Sequence, residues 1–427
     1  MAASYLIIGN CAAGIGALEA IRRVDREGDV TIVTAEPYHA YSRPLITYLL
    51  GGKVDEAQMP YRPKDFYEQM RARVMLGTRV EEIDPTRARV RTSAGEELAY
   101  DKLLIATGGQ PILPPDVPGL DAQGVFTFTT WDDARAMASY IKDTAARSAV
   151  VIGGGLIGLK TVEALVALKI ETTVVELAER VLAITLDEQA SAMAAGALEK
   201  AGVKLLCSTT VKEVLTKAGK VTGVRLADGQ ELACDLVVVA IGVRPRLELA
   251  KSAGLKTGRG IVVNETMATS ADGIWAAGDV AEALEIISGE RRPVPIWPVA
   301  YRQGAVAGTL MAGGEDRYEG AIAMNSVEIC GLPTISAGLT SPTGEGYRIL
   351  THLDESRGRY KKLVVDPEGR LVGYVLVGQV ERAGILTALI TRRVDVSGFV
   401  EELMPEGFGL MSLPEELRWE LYKGQGA

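Results

Sequence analysis

The stretch "AVVIGGGLIGLKTVEALVALKIETTVVE", residues 149–176, holds a whole structural unit. An apolar run enters a turn carrying Gly153, Gly155 and Gly158, a segment with helical spacing follows, and a second apolar run ends on Glu176. Strand, glycine turn, helix and strand in that order make a βαβ unit of the Rossmann type. The amides of such a turn and the helix N-terminus form an anion site suited to a pyrophosphate, and the glycines let the ligand approach the backbone. A carboxylate at the end of the second strand can accept both hydroxyls of an adenosine ribose, which is the role open to Glu176. No arginine immediately follows Glu176 to hold a 2′-phosphate, which favours NADH over NADPH.

The pattern occurs once more, earlier in the chain. "SYLIIGN" runs into a glycine turn, "AGIGALEAIRRVD" has helical spacing, and "VTIVTAE" closes the unit on Glu36. Gly9 and Gly14 occupy the first and third glycine positions, whereas Cys11 stands at the middle one. Two fingerprints imply two bound dinucleotides.

Composition narrows the rest. With 427 residues the chain suits two or three domains. Its apolar runs, such as "LVVVAIGV" (236–243), are too short to span a bilayer. The start "MAASYLIIGN" lacks the features of a signal peptide, so a soluble, cytoplasmic protein is expected. The net charge of −9 comes without any basic block, which argues against nucleic acid as a partner. Four scattered cysteines, Cys11, Cys207, Cys234 and Cys330, offer no local redox pair or iron–sulfur ligand set, and two histidines leave little for a metal site or a Ser/His hydrolase.

Between the motifs lie connections. The Pro- and Gly-rich "GGQPILPPDVPGLDAQG" (108–124) reads as a linker out of the first unit, and "IGVRPRLELAKSAG" (241–254) as the return. "SGERRPVPIWP" (288–298) reads as a loop before a helix beginning near Val299. After about residue 320 the pattern changes: "KKLVVDPEGRLVGYVLVG" (361–378) predicts a hairpin around an Asp-Pro-Glu-Gly turn, and "VERAGILTALITRR" a helix. The expected fold is therefore α/β, with two Rossmann-like domains and a C-terminal α+β domain.

With these motifs in view, the chain resembles the FAD-dependent pyridine nucleotide-disulfide oxidoreductase family, in particular its rubredoxin reductases, ferredoxin reductases and NADH oxidases. The resemblance extends to "LLIATGGQP" (103–111), "IGVRPR" (241–246) and "TSADGIWAAGDVAE" (269–282). It implies FAD on the first fingerprint, NAD(H) on the second, and a C-terminal interface domain. The division so implied is 1–113 with 245–320 for FAD, 114–244 for NAD(H) and 321–427 for the interface. Gly9, Cys11, Gly14, Glu36, Ser42, Thr107, Gly108, Gly278, Asp279, Trp297 and Pro298 are the implied FAD contacts, with Asp279 on the ribitol; Gly153, Gly155, Gly158, Glu176 and Gly242 are those of NAD. Arg43 and Pro44 in "YSRPL" would lie close to the flavin. The helix after "IWPV" would direct its N-terminal dipole at the flavin pyrimidine.

Three departures from that family matter. Ser42 and Arg43 stand where thiol-using relatives carry a redox cysteine, and "EELMPEGFGLMSLPEELRWELY" has no catalytic histidine, so disulfide chemistry is not expected. Cys11 would lie under the FAD pyrophosphate, which makes it a small residue in a phosphate turn, although a thiolate at a helix N-terminus has a lowered pKa. Lys160 replaces a glutamate that many relatives hold near flavin and nicotinamide. The implied activity passes hydride between NAD(H) and FAD, and single electrons between FAD and an external iron–sulfur protein or rubredoxin. A homodimer or hetero-oligomer is implied, including the FAD subunit of a larger complex such as a tungsten aldehyde oxidoreductase. An NADH oxidase using oxygen is one alternative, and a flavin-bearing assembly or redox-sensing module without turnover is another. If Lys160 favours anionic reduced flavin, Lys160→Glu is expected to lower the flavin potential and slow reduction by NADH, measured by redox titration and stopped flow.

Overall fold

A computed structural model describes residues 3–423. The chain forms two compact units, one of Met1–Leu49, Val54–Pro111 and Val243–Ala321, the other of Leu50–Lys53, Ile112–Gly242 and Ile322–Ala427. Residues 1–2 and 424–427, at the two ends of the domains expected from the sequence, lie outside the described residues.

In the first unit, strands Ile274–Ala276, Lys102–Ile105, Ser4–Ile8, Asp29–Val33 and Ala72–Met75 lie side by side in that order, all parallel. Parallel strands covered on both faces read as continuous apolar runs, and Ile7, Ile32, Leu103, Leu104 and Ile105 are fully buried. The helix Ala12–Val24 leaves the first strand and packs against the helix Trp297–Met311 through glycine and alanine. A Cβ on Gly16 would stand 2.4 Å from the Tyr301 carbonyl oxygen, one on Gly304 2.0 Å from that of Ala13, and one on Gly308 2.4 Å from that of Ala17. These contacts pin the C-terminal helix of the unit to its N-terminal one across nearly 300 residues of chain.

The second unit repeats the plan. Strands Lys204–Leu206, Glu171–Val175, Ser148–Ile152, Leu236–Val239 and Val125–Phe126 form a parallel sheet in that order, followed through the glycine turn by the helix Leu156–Ala167. Each Rossmann sheet also carries a three-stranded antiparallel meander, Val80–Asp84, Arg89–Thr92, Glu97–Ala99 in one and Val211–Lys217, Lys220–Leu226, Glu231–Ala233 in the other. Part of what reads as linker is strand: Gly109–Pro111 pairs antiparallel with Val243–Pro245. The outgoing and returning chain thus form one ribbon.

The tail is an antiparallel sheet in the order Met324–Ile329, Leu332–Gly338, Leu371–Val377, Arg359–Val365, Arg348–Asp354. The hairpin expected at 361–378 is present, with Gly369 at φ +82° in its turn. The helix expected next spans Ala383–Thr391. A buried ionic knot ties the tail to the second Rossmann sheet. Asp187, the cap of helix Glu188–Lys200, accepts hydrogen bonds from the Ala190 amide (3.2 Å) and the Tyr360 hydroxyl (2.6 Å), and pairs with the Lys362 ammonium at 2.9 Å. Burial and the Asp187 carboxylate together push the Tyr360 phenol above its ordinary value.

Gly304→Val forces the two helices of the first unit apart, so it is expected to lose about 1–3 kcal/mol of stability, read as a lower Tm. Gly196→Ala, whose Cβ would meet nothing within 4 Å in the helix Glu188–Lys200, is the contrasting control and is expected to leave Tm unchanged or raise it.

Candidate functional site

Parallel strands end on the same side of their sheet, so the loops after them collect along one edge. In the first unit the loops after Ile8, Val33, Ile105 and Ala276 carry Gly9, Glu36, Thr107 with Gly108, and Gly278 with Asp279. Backbone bonds hold these loops side by side: Gly9 N–H donates to Val33 (2.9 Å), Ala106 N–H to Ile8 (2.8 Å), and Ala277 N–H to Ile105 (3.1 Å). In the second unit Gly153 N–H donates to Val175 (2.9 Å) and Ala240 N–H to Ile152 (2.8 Å). Residues far apart in sequence meet because their strands are neighbours.

The two glycine turns match atom for atom at their outer positions. Gly9 has φ +118°, and a Cβ on it would lie 2.1 Å from the Ala106 carbonyl oxygen; Gly153 has φ +109° and meets Ala240 at 2.5 Å. A Cβ on Gly14 would lie 2.1 Å from the Gly9 carbonyl oxygen, and one on Gly158 2.0 Å from that of Gly153. The middle position differs. Gly155 has φ −82° and space for a Cβ, with nothing within 4 Å, and its counterpart Cys11 sits at φ −125°. The fold demands glycine at the first and third positions only, which explains why Cys11 is accommodated.

The helices that follow have N-termini suited to an anion. Neither Cys11 nor Gly155 makes a side-chain capping bond, and neither first turn contains an acidic residue. The helix Trp297–Met311 is alike: its cap residue Ile296 makes no side-chain bond and its first turn is free of acid. It begins two residues before the expected Val299, so Trp297 and Pro298 are its first helical residues, with the proline where a missing N–H costs nothing. Trp297 packs on Tyr61 with the two rings nearly perpendicular, centroids 5.0 Å apart.

Charge gathers around Arg43 in the first unit. Ser42 caps the short 3-10 turn Arg43–Leu45, which includes Pro44. From there the Arg43 guanidinium pairs with Glu36, whose other oxygen accepts the Tyr41 hydroxyl at 2.6 Å. Burial opposes the Arg43 charge, but Cys11, Tyr41 and Glu36 outweigh it and hold its pKa above the ordinary value. Burial pushes the Asp279 carboxyl up, with Arg43 opposing. Glu36, Cys11 and Asp279 are thus all felt by one cation, which the sequence placed beside the flavin ring without foreseeing its pairing to Glu36. In the second unit, Glu176 accepts the Gly154 amide at 2.5 Å and the Ala178 amide at 2.7 Å, which sets its carboxylate at the mouth of the glycine turn. Gly242 has φ +123° and its carbonyl accepts the Ile112 amide at 3.0 Å. Lys160 pairs with Glu163, and its ammonium also reaches the Glu328 carbonyl at 3.4 Å. Glu163 in turn accepts the Cys330 amide at 3.0 Å, which joins this helix to a turn of the tail sheet. Lys160→Glu sets two carboxylates together, so Lys160→Met is the cleaner substitution.

Other residues escaped the sequence reading. The Thr107 hydroxyl donates to the Arg246 carbonyl (3.4 Å) and the Arg246 guanidinium to the Gly109 carbonyl (3.1 Å), which fixes the loop at Gly108, φ +66°. Gln303, 2% exposed, accepts the Gly278 amide at 2.9 Å and so holds the backbone next to Asp279. A glutamine on the buried face of an apolar helix was the available signal. Tyr67 donates to the Asn10 side-chain oxygen at 2.8 Å and accepts the Ala40 amide at 2.9 Å, bracing the first glycine turn.

These residues define a protein that binds two dinucleotides on paired Rossmann sheets. The chain belongs to the pyridine nucleotide-disulphide oxidoreductase family, whose model matches residues 3–304, while residues 324–394 match the rubredoxin NAD+ reductase C-terminal domain. It is similar to the NADH-dependent phenylglyoxylate dehydrogenase subunit epsilon of Aromatoleum evansii, 34% identical over 416 residues, covering 96% of this chain and 97% of that one. An NADH oxidase of Methanocaldococcus jannaschii is 32% identical over 412 residues, 91% of each chain. Among solved structures, the ferredoxin reductase for the CYP199A2 system of Rhodopseudomonas palustris superposes with a TM-score of 0.81 at 27% identity, covering 88% of this chain and 91% of that one. The protein is an NAD(H)-dependent flavin oxidoreductase that uses FAD and NAD(H). The acid-free helix ends, the crowded glycines and the half-buried Asp279 fit those cofactors. No helix among the described residues is long and apolar enough to cross a membrane.

No described thiol is primed for chemistry. All four cysteines are free, and burial raises the pKa of Cys11, Cys207 and Cys330, and that of Cys234 to about 12. A raised pKa means less thiolate at a given pH. Alkylation of Cys234 in the native protein is therefore expected to lag behind a free thiol and to accelerate with pH, as followed by mass spectrometry.

Proposed function

We propose that this protein exchanges single electrons with an external iron–sulfur or rubredoxin-type carrier, as the FAD subunit of a larger cytoplasmic oxidoreductase complex. The observation that carries the reading is the missing internal thiol. Ser42 stands at the redox position and all four cysteines are free and unpaired with one another, so two electrons arriving as hydride have no protein disulfide to enter. The similarity to a dehydrogenase subunit over nearly the whole chain supports the complex, and the rubredoxin reductase-type tail supports the carrier.

Bound FAD supplies the chemistry that converts hydride transfer into single-electron steps. The residues supply position and charge. Glu36 would accept the ribose hydroxyls of FAD once Arg43 is drawn toward the pyrophosphate. Gly9, Cys11 and Gly14 would let that pyrophosphate reach the helix amides. Asp279, with Gly278 and Gln303 fixing its backbone, would hold the ribitol, and Thr107 and Gly108 the neighbouring loop. Trp297 and Pro298 would present a helix N-terminus to the flavin pyrimidine, stabilising negative charge there, with Ser42, Arg43 and Pro44 close by. Gly153, Gly155, Gly158, Glu176 and Gly242 would seat NAD(H), and Lys160 would add positive charge on the nicotinamide side. Residues 1–113 with 245–320, 114–244 and 321–427 would serve as FAD, NAD(H) and interface domains.

The similarity to an NADH oxidase favours oxygen as the second acceptor to consider. Anaerobic reduction with NADH followed by air separates the readings. Bleaching that persists in air and discharges on adding a ferredoxin, a rubredoxin or a viologen is the expected result. Rapid reoxidation in air over many turnovers would establish the oxidase instead, and flavin that NADH does not bleach would leave a module without turnover.

A further inference from the structure

Lys160 and Glu163 lie one turn apart on the helix Leu156–Ala167, and both reach the tail rather than the sheet. The helix face toward the sheet is apolar, with Leu159, Val162 and Leu165 fully buried. Glu163 uses both carboxylate oxygens, one for the Lys160 ammonium and the other for the Cys330 amide at 3.0 Å. The ammonium also meets the Glu328 carbonyl at 3.4 Å. The hairpin of strands Met324–Ile329 and Leu332–Gly338 thus touches both members of the pair. Side-chain exposures of 23% and 13% leave little water to screen their charges.

The nicotinamide ring is a cation in NAD+ and neutral in NADH. A fixed charge near the ring therefore separates the two forms: a carboxylate favours NAD+ and an ammonium favours NADH. Lys160 is the fifth residue of its helix, about 6 Å along the axis from the N-terminus that the glycine turn offers to the pyrophosphate. An ammonium acting alone there would repel the oxidised cofactor. Glu163 cancels that charge one turn further on.

We infer that Glu163 sets the relative affinity for NAD+ and NADH, by neutralising Lys160 and holding its ammonium against the Glu328–Cys330 turn. The inference rests on the reading that puts the nicotinamide on the Lys160 side. Glu163 is a positioning residue, since it acts through Lys160. The Cys330 thiol reports on the same pair without any cofactor. Burial is first among the causes that raise its pKa; the Glu163 and Glu328 carboxylates add to the rise, and the Lys160 and Lys53 ammonium groups oppose it.

The test is calorimetric titration of NAD+ into the oxidised holoenzyme and of NADH into the dithionite-reduced holoenzyme, two combinations in which no hydride can pass. Glu163→Gln keeps an acceptor for the Cys330 amide and removes the charge, so the ratio of the two dissociation constants is expected to move toward NADH by about threefold or more. Lys160→Met leaves the carboxylate uncompensated, and the ratio is expected to move as far toward NAD+. The double variant is expected to return near the wild-type ratio, which a loss of packing alone would not produce. In parallel, the pH at which Cys330 becomes open to alkylation is expected to fall in Glu163→Gln and to rise in Lys160→Met. If the thiol responds and neither variant moves the ratio, the nicotinamide lies elsewhere and the inference falls with that reading. If Lys160→Met moves the ratio and Glu163→Gln does not, the placement of Lys160 stands and the role of Glu163 is overturned. A thiol indifferent to both changes would overturn the pair itself. Flavin content and circular dichroism identify misfolded variants.

Discussion

A carbonyl oxygen 2.1 Å from the place a Cβ on Gly14 would take is the contact on which the first unit turns. It allows the helix Ala12–Val24 to begin against the end of its strand, so the helix amides face the loops of the neighbouring strands. The second unit has the same closeness, 2.0 Å, at Gly158. Any side chain there moves the helix off the sheet and takes the anion site with it. The remaining architecture serves this arrangement: parallel strands bring their loops to one edge, and helix-to-helix glycine contacts lock Trp297–Met311 against the N-terminal helix.

Electrostatics then divides the work. Arg43 is held near the Glu36 and Asp279 carboxyls, a cation beside acidic groups. Such a cation suits a site meant for phosphates, where unpaired carboxylates would repel the ligand. The thiols are treated differently, since burial raises the pKa of all four and disfavours their thiolates. The chain keeps the fold of its family with Ser42 before the turn Arg43–Leu45 and with four free thiols.

The tail is bound to the second Rossmann sheet by two polar knots that no local motif announces. Asp187 collects the Tyr360 hydroxyl and the Lys362 ammonium from one face of one strand, and Glu163 collects Lys160 and the Cys330 amide. Buried carboxylates with several donors hold a fixed geometry because losing any one partner leaves a charge unsatisfied.

The sequence by itself determined the two βαβ units and their order, because strand–turn–helix patterns are local; which glycines are obligatory was decided by the backbone contacts a Cβ would meet. It also determined the 361–378 hairpin, whose turn lies between its own strands. The partners of individual side chains were decided only by tertiary structure. The pairing of Glu36 with Arg43, the support of Gly278 by Gln303 and the Gly109–Pro111 ribbon with Val243–Pro245 all join residues brought together by neighbouring strands or packed helices. Periodicity records which face of an element is buried, but not which distant residue meets it; that is set when the sheets assemble.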